Sequence, residues 1–273
     1  MFGRVENLEQ LYIIDSLPEN KIYCDQDAKE QLELMKARSE NRNPPIWRRE
    51  LDGSLKISYL NVGSLRAKME DIKADPNFAF ADIIIFGETW LEEHTQATVE
   101  LQLPGYDLHL NSAGRGRGIA CYFKKDDFTV AKDITEKDLQ VSILTSANST
   151  IVGIYRSREN SSLLDILHDL LPSVKQNCAI LGDFNLCSQS EPQHPILQVL
   201  RTYGFQEMVG EPTHFRGGHI DMIWIKVTDV QAEAGLYSPY YTCKDHDCLQ
   251  LSLYSTVQAK EGETRIKIQI EIF

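Results

Sequence analysis

The sequence has no hydrophobic run that approaches the ~18–20 residues needed to span a bilayer. Its first residues also lack the basic and apolar segments of a secretory signal. Basic residues are not in excess, because 28 lysines and arginines face 40 aspartates and glutamates, which gives a net charge of −12. This balance argues against nucleic-acid binding through overall charge. We therefore expect a nuclear or cytoplasmic protein without membrane association, whose acidic character suits a bound divalent cation.

Cysteines are few, and none of them forms a CxxC pair. In a chain without a secretory signal we expect them to be reduced thiols. The segment CKDHDC, from Cys243 to Cys248, suggests zinc, but no second pair of ligands accompanies it. Small buried cysteines that flank a functional Asp-His pair are the favoured interpretation. The six cysteines are Cys24, Cys121, Cys178, Cys187, Cys243 and Cys248.

The length of 273 residues suits one sizeable domain with an appendage. The first 40 residues differ from the rest, since DAKEQLELMKARSE is rich in helix formers and the prolines of NRNPPIW then break any helix. We predict a linker at 41–54 and the main domain at 55–256. In the tail at 257–273, RIKIQIEIF alternates apolar and polar residues as a strand does.

Short apolar segments alternate with turns and a few helices across the main domain. We predict helices in SLRAKMEDIKAD, which Ser64 can cap, in SSLLDILHDLLPSV and in HPILQVLRTYG. Many short strands without strict βαβ alternation indicate an α/β (α+β) fold: a four-layer α/β sandwich of two mixed β-sheets packed face to face, with helices outside. The predicted strands lie in LKISYLNV, ADIIIFGETW, GIACYFKK, LQVSILTS, TIVGIYRS, CAILGDFN, HIDMIWIKV and DCLQLSLYS.

Polar residues collect where these strands end. If the ends face the same way, one pocket holds Glu88, Asp183, Asp221 and Asp245. Four carboxylates would repel each other there, so a divalent cation, Mg²⁺ or Mn²⁺ in its place, is indicated. Each residue alone has a plain structural explanation, such as a turn, a cap or an edge position; their joint occurrence favours a site. The full set is Asn61, Glu88, Tyr155, Asp183, Asn185, Asp221, Asp245 and His246.

Several segments, taken together, resemble the endonuclease/exonuclease/phosphatase superfamily in order and spacing. The resemblance covers residues 55–256, and it is greatest to the apurinic-type endonuclease of non-LTR retrotransposons and related mobile elements. It implies a Mg²⁺-dependent enzyme that nicks DNA. The segments are YLNVGSLRAKMEDI, ADIIIFGETWL, GIYRS, AILGDFN, PTHFRGGHIDMIWI and KDHDCLQL.

The resemblance also implies catalytic roles. Asp183 would orient and deprotonate the attacking water, and Asn185 would hold the phosphate. His246 would donate to a phosphate oxygen while Asp221 accepts from its other ring nitrogen. Tyr155 would contact the phosphate or the leaving oxygen.

The resemblance further implies that Glu88 binds the metal, with Asn61 beside it. Asp245 would be a direct or an indirect ligand. The family usually has serine before the Asp-His pair, where this chain has Lys244. That serine is supportive, so its loss puts the rate in question more than the type of reaction.

Substrate contacts are expected from cations near these motifs. Arg115 and Arg117 lie in a glycine-rich segment, Arg156 follows Tyr155, and Thr213 matches the threonine of the family's PTH segment. Although the protein as a whole is acidic, cations at the catalytic face would neutralise the phosphate charges of bound DNA. Cations elsewhere would be ordinary surface charges. The further candidates are Arg66, Lys68, Arg158 and Arg216.

The N-terminal GRVENLEQLYIID resembles the last motif of Pif-like helicases, with Arg4 as its arginine and Gly3 in place of its serine. A helicase end at 1–40 before such an endonuclease is typical of Helitron-type transposons, and without the helicase core no ATPase activity is expected. Two other functions stay open. One is a phosphatase acting on a small or lipid phosphate, and the other is a non-catalytic remnant that binds DNA or a protein.

Overall fold

Two six-stranded β-sheets form the centre of the protein. They come from a computed structural model that describes residues 54–124, 127–157, 162–174, 177–228, 230–239 and 245–255. The predicted helicase-like segment, most of the predicted linker and the tail lie outside these residues, as do Cys24, Cys243, Arg158 and Lys244.

The first sheet is mixed, with one parallel pair at its centre. Strands β1 and β2 run parallel, and their neighbours β12 and β4 are antiparallel to them. The strand β2 (IIIFG) is buried throughout, as expected for a β-branched run at the middle of a covered sheet. The order is β11 (Val230–Tyr237), β12 (Cys248–Ser255), β1 (Leu55–Asn61), β2 (Ile83–Gly87), β4 (Ile119–Lys124) and β3 (Tyr106–Asn111).

The second sheet repeats this arrangement, with β7 and β8 parallel and their neighbours β6 and β10 antiparallel. In β8 a Cβ on Gly182 would lie 2.0 Å from the Ile154 carbonyl oxygen of β7, so only glycine fits beside Asp183. The order is β5 (Thr129–Glu136), β6 (Leu139–Thr145), β7 (Ser149–Arg156), β8 (Asn177–Asp183), β10 (Asp221–Lys226) and β9 (Gln206–Glu207).

Apolar side chains fill three layers. The sheets face each other through residues such as Ile85 and Leu181. Leu65, Met69 and Ile72 of α1 cover the outside of the first sheet, while α3 and α4 cover the outside of the second. The prediction of two mixed sheets with helices outside is confirmed. The helices are α1 (Leu65–Ala74), α2 (Pro76–Ala79), α3 (Ser162–Leu170) and α4 (Pro195–Thr202), with 3₁₀ turns at Val99–Leu101 and Leu171–Ser173.

Three local expectations were wrong or incomplete. The Ser64 side chain makes no capping hydrogen bond, and its backbone has φ 95°, outside the usual conformation of an N-cap residue. Asp221, which the pattern of HIDMIWIKV placed inside a strand, is the first residue of β10, and it is fully buried. The edge strands β3, β5, β9 and β11 were not predicted; β5 and β11 show little burial and so lack a strong alternating pattern, and β9 has only two residues.

The cysteines within the described ranges are free thiols, as expected: Cys121, Cys178, Cys187 and Cys248. Cys248 is buried at the start of β12, where the interpretation as a small core residue is confirmed. Among the helices of the described chain, none combines the length and apolar character needed to cross a membrane.

Candidate active site

The strand order brings the predicted polar residues to one end of the sandwich. In the first sheet Asn61 pairs with Gly87, so Asn61 and Glu88 leave two parallel strands side by side. In the second sheet Asp183 lies between Tyr155 of β7 and Asp221 of β10. The two central parallel pairs thus supply their carboxyl ends to one edge, where ligand sites of such sheets are found.

Asn61 connects the two sheets. Its side-chain amide donates to Glu88 Oε1 at 3.1 Å and to Asp183 Oδ2 at 2.8 Å. Its exposed fraction is only 2%. A buried amide that donates to two carboxylates fixes both of them, and it does so without adding charge.

Glu88 is held by three side chains. Tyr155 donates its hydroxyl toward Glu88 Oε1 at 2.9 Å, with the Gly116 carbonyl as a competing acceptor at the same distance. Trp90 donates Nε1–H to Oε2 at 3.2 Å. Burial, followed by the Glu88 charge, raises the pKa of Tyr155 well above its ordinary value, so the phenol stays a donor at neutral pH. Tyr155 therefore positions Glu88.

Asp183 is almost completely buried and accepts a hydrogen bond on each oxygen. Oδ2 accepts from Asn61, and Oδ1 accepts from the Asn185 backbone N–H at 2.9 Å. Burial and the neighbouring Asp221 raise the pKa of Asp183 to about 7, against the lowering effect of His246 and these two donors. A carboxyl group that titrates near neutral pH in a cluster of carboxylates is characteristic of functional sites.

His246 and Asp221 form a pair beside Asp183. His246 Nδ1 lies 2.9 Å from Asp221 Oδ2 and 3.2 Å from Oδ1. Burial by itself lowers the pKa of His246, but the charge and hydrogen bond of Asp221 outweigh burial, and the pKa rises to about 9. One ligand-type atom from each of Asp183, Asp221 and His246 lies within 4.8 Å of the others.

Asn185 follows Asp183 in a tight turn with φ 44°, a conformation that asparagine tolerates. Its side-chain amide donates to the Arg156 carbonyl oxygen at 2.6 Å, and the residue is exposed. Arg156 itself is buried and donates to the Phe184 carbonyl oxygen at 2.7 Å. Because its guanidinium braces this turn from inside, Arg156 is not among the residues that we propose to contact substrate.

Thr213 is also buried, contrary to the expectation that it contacts substrate. Its hydroxyl oxygen accepts from the backbone N–H groups of Ile220 at 3.2 Å and Asp221 at 3.0 Å. Thr213 therefore fixes the backbone that carries Asp221.

We expect Thr213→Val to lower the free energy of unfolding by ~1–3 kcal/mol, because two buried N–H groups lose their acceptor. Urea denaturation would measure this as a lower midpoint at an unchanged slope. Thr213→Ser should recover the loss, and Thr129→Val on the exposed strand β5 serves as the matched control. Equal midpoints for Thr213→Val and Thr129→Val would contradict the assignment.

Most of the other predicted residues make contacts outside this network. Asp245 is exposed just before His246, and its backbone carbonyl accepts from Phe215. Arg115 is exposed beside Trp90, and Arg117 donates to the Lys137 carbonyl oxygen at 2.9 Å. Of the further cations, Arg66 pairs with exposed Glu100 and Arg216 lies over the Phe215 ring.

Trp90 and His214 were missed by the sequence analysis. The ring of His214 meets that of His246 edge-on at 4.8 Å between centroids. Trp90 stands two residues after Glu88, so its proximity to a candidate ligand was a usable signal. His214 could be placed only through the backbone pairing of His214 with His246.

The donors fit a hard divalent cation. Glu88 and Asp183 accept from the same Asn61 amide, and Asp183 lies beside Asp221, so three carboxylates collect at this edge. Oxygen donors of this kind are the ligands that Mg²⁺ and Mn²⁺ take.

No protein-family model and no curated protein matches the sequence. Solved structures do match it. An AP endonuclease from Leishmania major aligns with a TM-score of 0.58 at 14% identity, over 82% of this chain and 98% of that chain. The 3' phosphatase NExo from Neisseria, bound to a product DNA hairpin, gives 0.55 at 17% identity, over 72% and 98%. An endonuclease/exonuclease/phosphatase from Bacteroides vulgatus gives 0.54 at 12%, over 75% and 100%. At these identities the likeness shows a shared fold.

Proposed function

We propose that the chain belongs to the endonuclease/exonuclease/phosphatase superfamily and is a metal-dependent phosphodiesterase that nicks DNA. The observation that carries the proposal is the buried Asn61–Asp183 hydrogen bond between the sheets, with Glu88 on one side and the Asp221–His246 pair on the other. Phosphodiester hydrolysis needs a base for water and positive charge for the phosphate oxygens. This edge of the sandwich offers both.

Asp183 is the group that we assign to the attacking water. Asn61 and the Asn185 N–H fix its two oxygens, so the carboxylate keeps one orientation. A pKa near 7 matches a general base that works at neutral pH. The Asp183 carboxylate orients the water and takes one of its protons.

His246 and Asn185 are assigned to the phosphate. Asp221 holds Nδ1–H of His246, which leaves Nε2–H to donate to a phosphate oxygen and keeps the imidazolium charged. The exposed side chain of Asn185 lies two residues from Asp183, within reach of the same phosphate.

Glu88 would hold Mg²⁺, with Asn61 beside it and Asp245 as a direct or indirect contributor. When bound, the cation neutralises charge on the phosphate and stabilises the leaving oxygen. Tyr155 and Trp90 keep the Glu88 carboxylate in place for it.

DNA is the proposed substrate, because Arg115 and Arg117 stand on the loop next to Glu88 in an otherwise acidic chain. The matching structures include AP endonucleases and a DNA-bound 3' phosphatase. A mobile-element endonuclease is the specific form that we propose. The helicase-like start stays a prediction.

Purified protein should convert supercoiled plasmid to open circles with Mg²⁺ and not with a chelator. Glu88→Gln should need a higher Mg²⁺ concentration for half-maximal nicking, since the ligand loses its charge. Glu100→Gln, on the exposed 3₁₀ turn, is the control and should behave as wild type. Nicking that persists in chelator would refute the metal requirement.

A 3'-phosphatase is the second candidate, and the DNA-bound NExo structure favours it. An oligonucleotide with a 3'-phosphate separates the two functions. Phosphate release without internal nicking would identify a phosphatase. Neither product from folded wild-type protein would indicate a non-catalytic remnant.

A further inference from the structure

Trp90 is a large aromatic residue at the mouth of the site. Its exposed fraction is 37%, whereas most large apolar side chains of the described chain are buried. Its backbone has φ 57°, an uncommon conformation for a bulky residue. The turn from Glu88 to Trp90 thus keeps an indole partly exposed. The hydrophobic effect by itself would favour burial of such a large ring.

The polar edge of this indole is already engaged at the site. Nε1–H donates to Glu88 Oε2, whose carboxylate also accepts from Asn61 and Tyr155. The ring therefore has a fixed relation to the centre of the site. The exposed apolar surface of the ring is the part of Trp90 that remains for another molecule.

A cation stands beside the ring. The guanidinium carbon of Arg115 lies 5.6 Å from the ring centroid, and the Arg115 side chain is exposed. An aromatic face with an adjacent arginine is the combination that takes up single-stranded nucleic acid, since the base stacks and the cation meets the phosphate.

The loop that carries Arg115 is fastened to the Trp90 turn. The Trp90 N–H donates to the Arg117 carbonyl, and the Gly114 N–H donates to the Leu91 carbonyl. A Cβ on Gly118 would lie 2.5 Å from Thr89 Oγ1, and Gly118 has φ 99°, so the close approach requires glycine. The Trp90–Arg115 pair is thus supported by backbone contacts on both sides.

We propose that Trp90 is a stacking platform for one unpaired base of the substrate strand, with Arg115 pairing to the phosphate of that nucleotide. This rests on the proposed nuclease function and specifies its substrate. A base can stack on a protein ring only after it has left its own helix. The preferred DNA therefore has an unpaired nucleotide next to the cleaved bond, as in a flap, a gap or a single strand.

Binding of a fluorescein-labelled short single-stranded oligonucleotide would test the platform. We expect Trp90→Leu to weaken binding by about 5- to 150-fold, the loss associated with one stacked base. Trp90→Phe, which keeps a ring and loses Nε1, should stay within about threefold of wild type, since stacking tolerates any aromatic face. Arg115→Gln should lower the slope of log affinity against log salt by about 0.7, one phosphate contact on a single strand.

Phe80→Leu is the matched control, because Phe80 is 57% exposed and precedes β2, whereas the Glu88 turn follows the other end of that strand. The same variants are then assayed on a continuous duplex and on a duplex with one unpaired base next to the cleavage site. Trp90→Leu should erase the wild-type preference for the unpaired base, and Phe80→Leu should keep it.

Two results would overturn the platform while leaving the nuclease intact. One is a wild type that nicks DNA and binds the oligonucleotide no better than Trp90→Leu does. The other is a loss of kcat that is the same in Trp90→Leu as in Trp90→Phe, and the same on both duplexes. That result would mean that Trp90 acts only by holding Glu88. Absence of nicking in the wild type would instead refute the proposed function itself.

Discussion

Asp183→Asn should reduce DNA nicking by ~10²–10⁴-fold, the range in which a general base contributes to a rate. Asparagine keeps the shape of the side chain and can still accept from the Asn185 N–H, but it cannot take a proton from water, and its amide nitrogen cannot accept from Asn61. It also removes a charge that burial and Asp221 disfavour. We therefore expect activity to fall while the free energy of unfolding changes little, because removal of the buried charge offsets the lost Asn61 hydrogen bond.

Single-turnover nicking and urea denaturation, measured on one preparation, would check both expectations. Asp133→Asn is a matched control, since Asp133 accepts from Ser142 and lies beside His109, outside the network of Asp183. Its nicking rate should match that of wild type. An Asp183→Asn protein that nicks within about threefold of wild type would contradict the assignment of Asp183 as the base.

His246→Gln should lower the nicking rate by ~10²–10³-fold, the cost of losing one preorganised donor to a developing charge. Asp221→Asn keeps the imidazole but removes the charge that raises its pKa. For wild type we expect activity to decline as the pH rises through about 9, where His246 loses its proton. In Asp221→Asn this decline should begin at lower pH, and a pH–rate profile would show the difference.

The same pair makes stability depend on pH. Because His246 binds its proton more tightly in the folded state, its contribution is complete below the ordinary pKa of 6.5 and disappears as the pH rises through about 9. The loss is on the order of 3 kcal/mol in metal-free protein. Urea denaturation of wild type across this range should show it, and His246→Gln should lack it. His109→Gln, from the His109–Asp133 pair on the edge strands β3 and β5, is the control for both measurements.

The candidate site could be predicted where the signal is local. Asn61 and Asp183 end apolar strands and Glu88 directly follows one, and a polar residue at the tip of a buried strand is visible in the sequence itself. The two parallel pairs then place these tips at one edge, as the strand pattern and the family resemblance implied.

The sequence did not show which polar side chains beside the motifs are buried. Arg156 and Thr213 carry polar groups beside the motifs, and both suggested substrate contact. The structure directs them inward, where one braces the Asn185 turn and the other the Asp221 backbone. Whether a polar side chain at a strand end meets solvent or the interior depends on which segments pack over it, and those segments are distant in sequence.

Sequence alone indicated the fold class, because many short apolar strands without strict βαβ alternation favour two covered sheets, as observed, and the polar tips mark where strands end. Only the tertiary structure decided which of those ends touch. Asn61 meets Asp183 across 122 positions, and Asp221 meets His246 across 25, through registers set by the packing of whole sheets. It also decided that Trp90 stays exposed, because the glycine-rich loop at 114–118 and the Glu88 turn hold each other through backbone hydrogen bonds. Local composition does not encode such contacts, since each depends on two distant segments arriving at the same place.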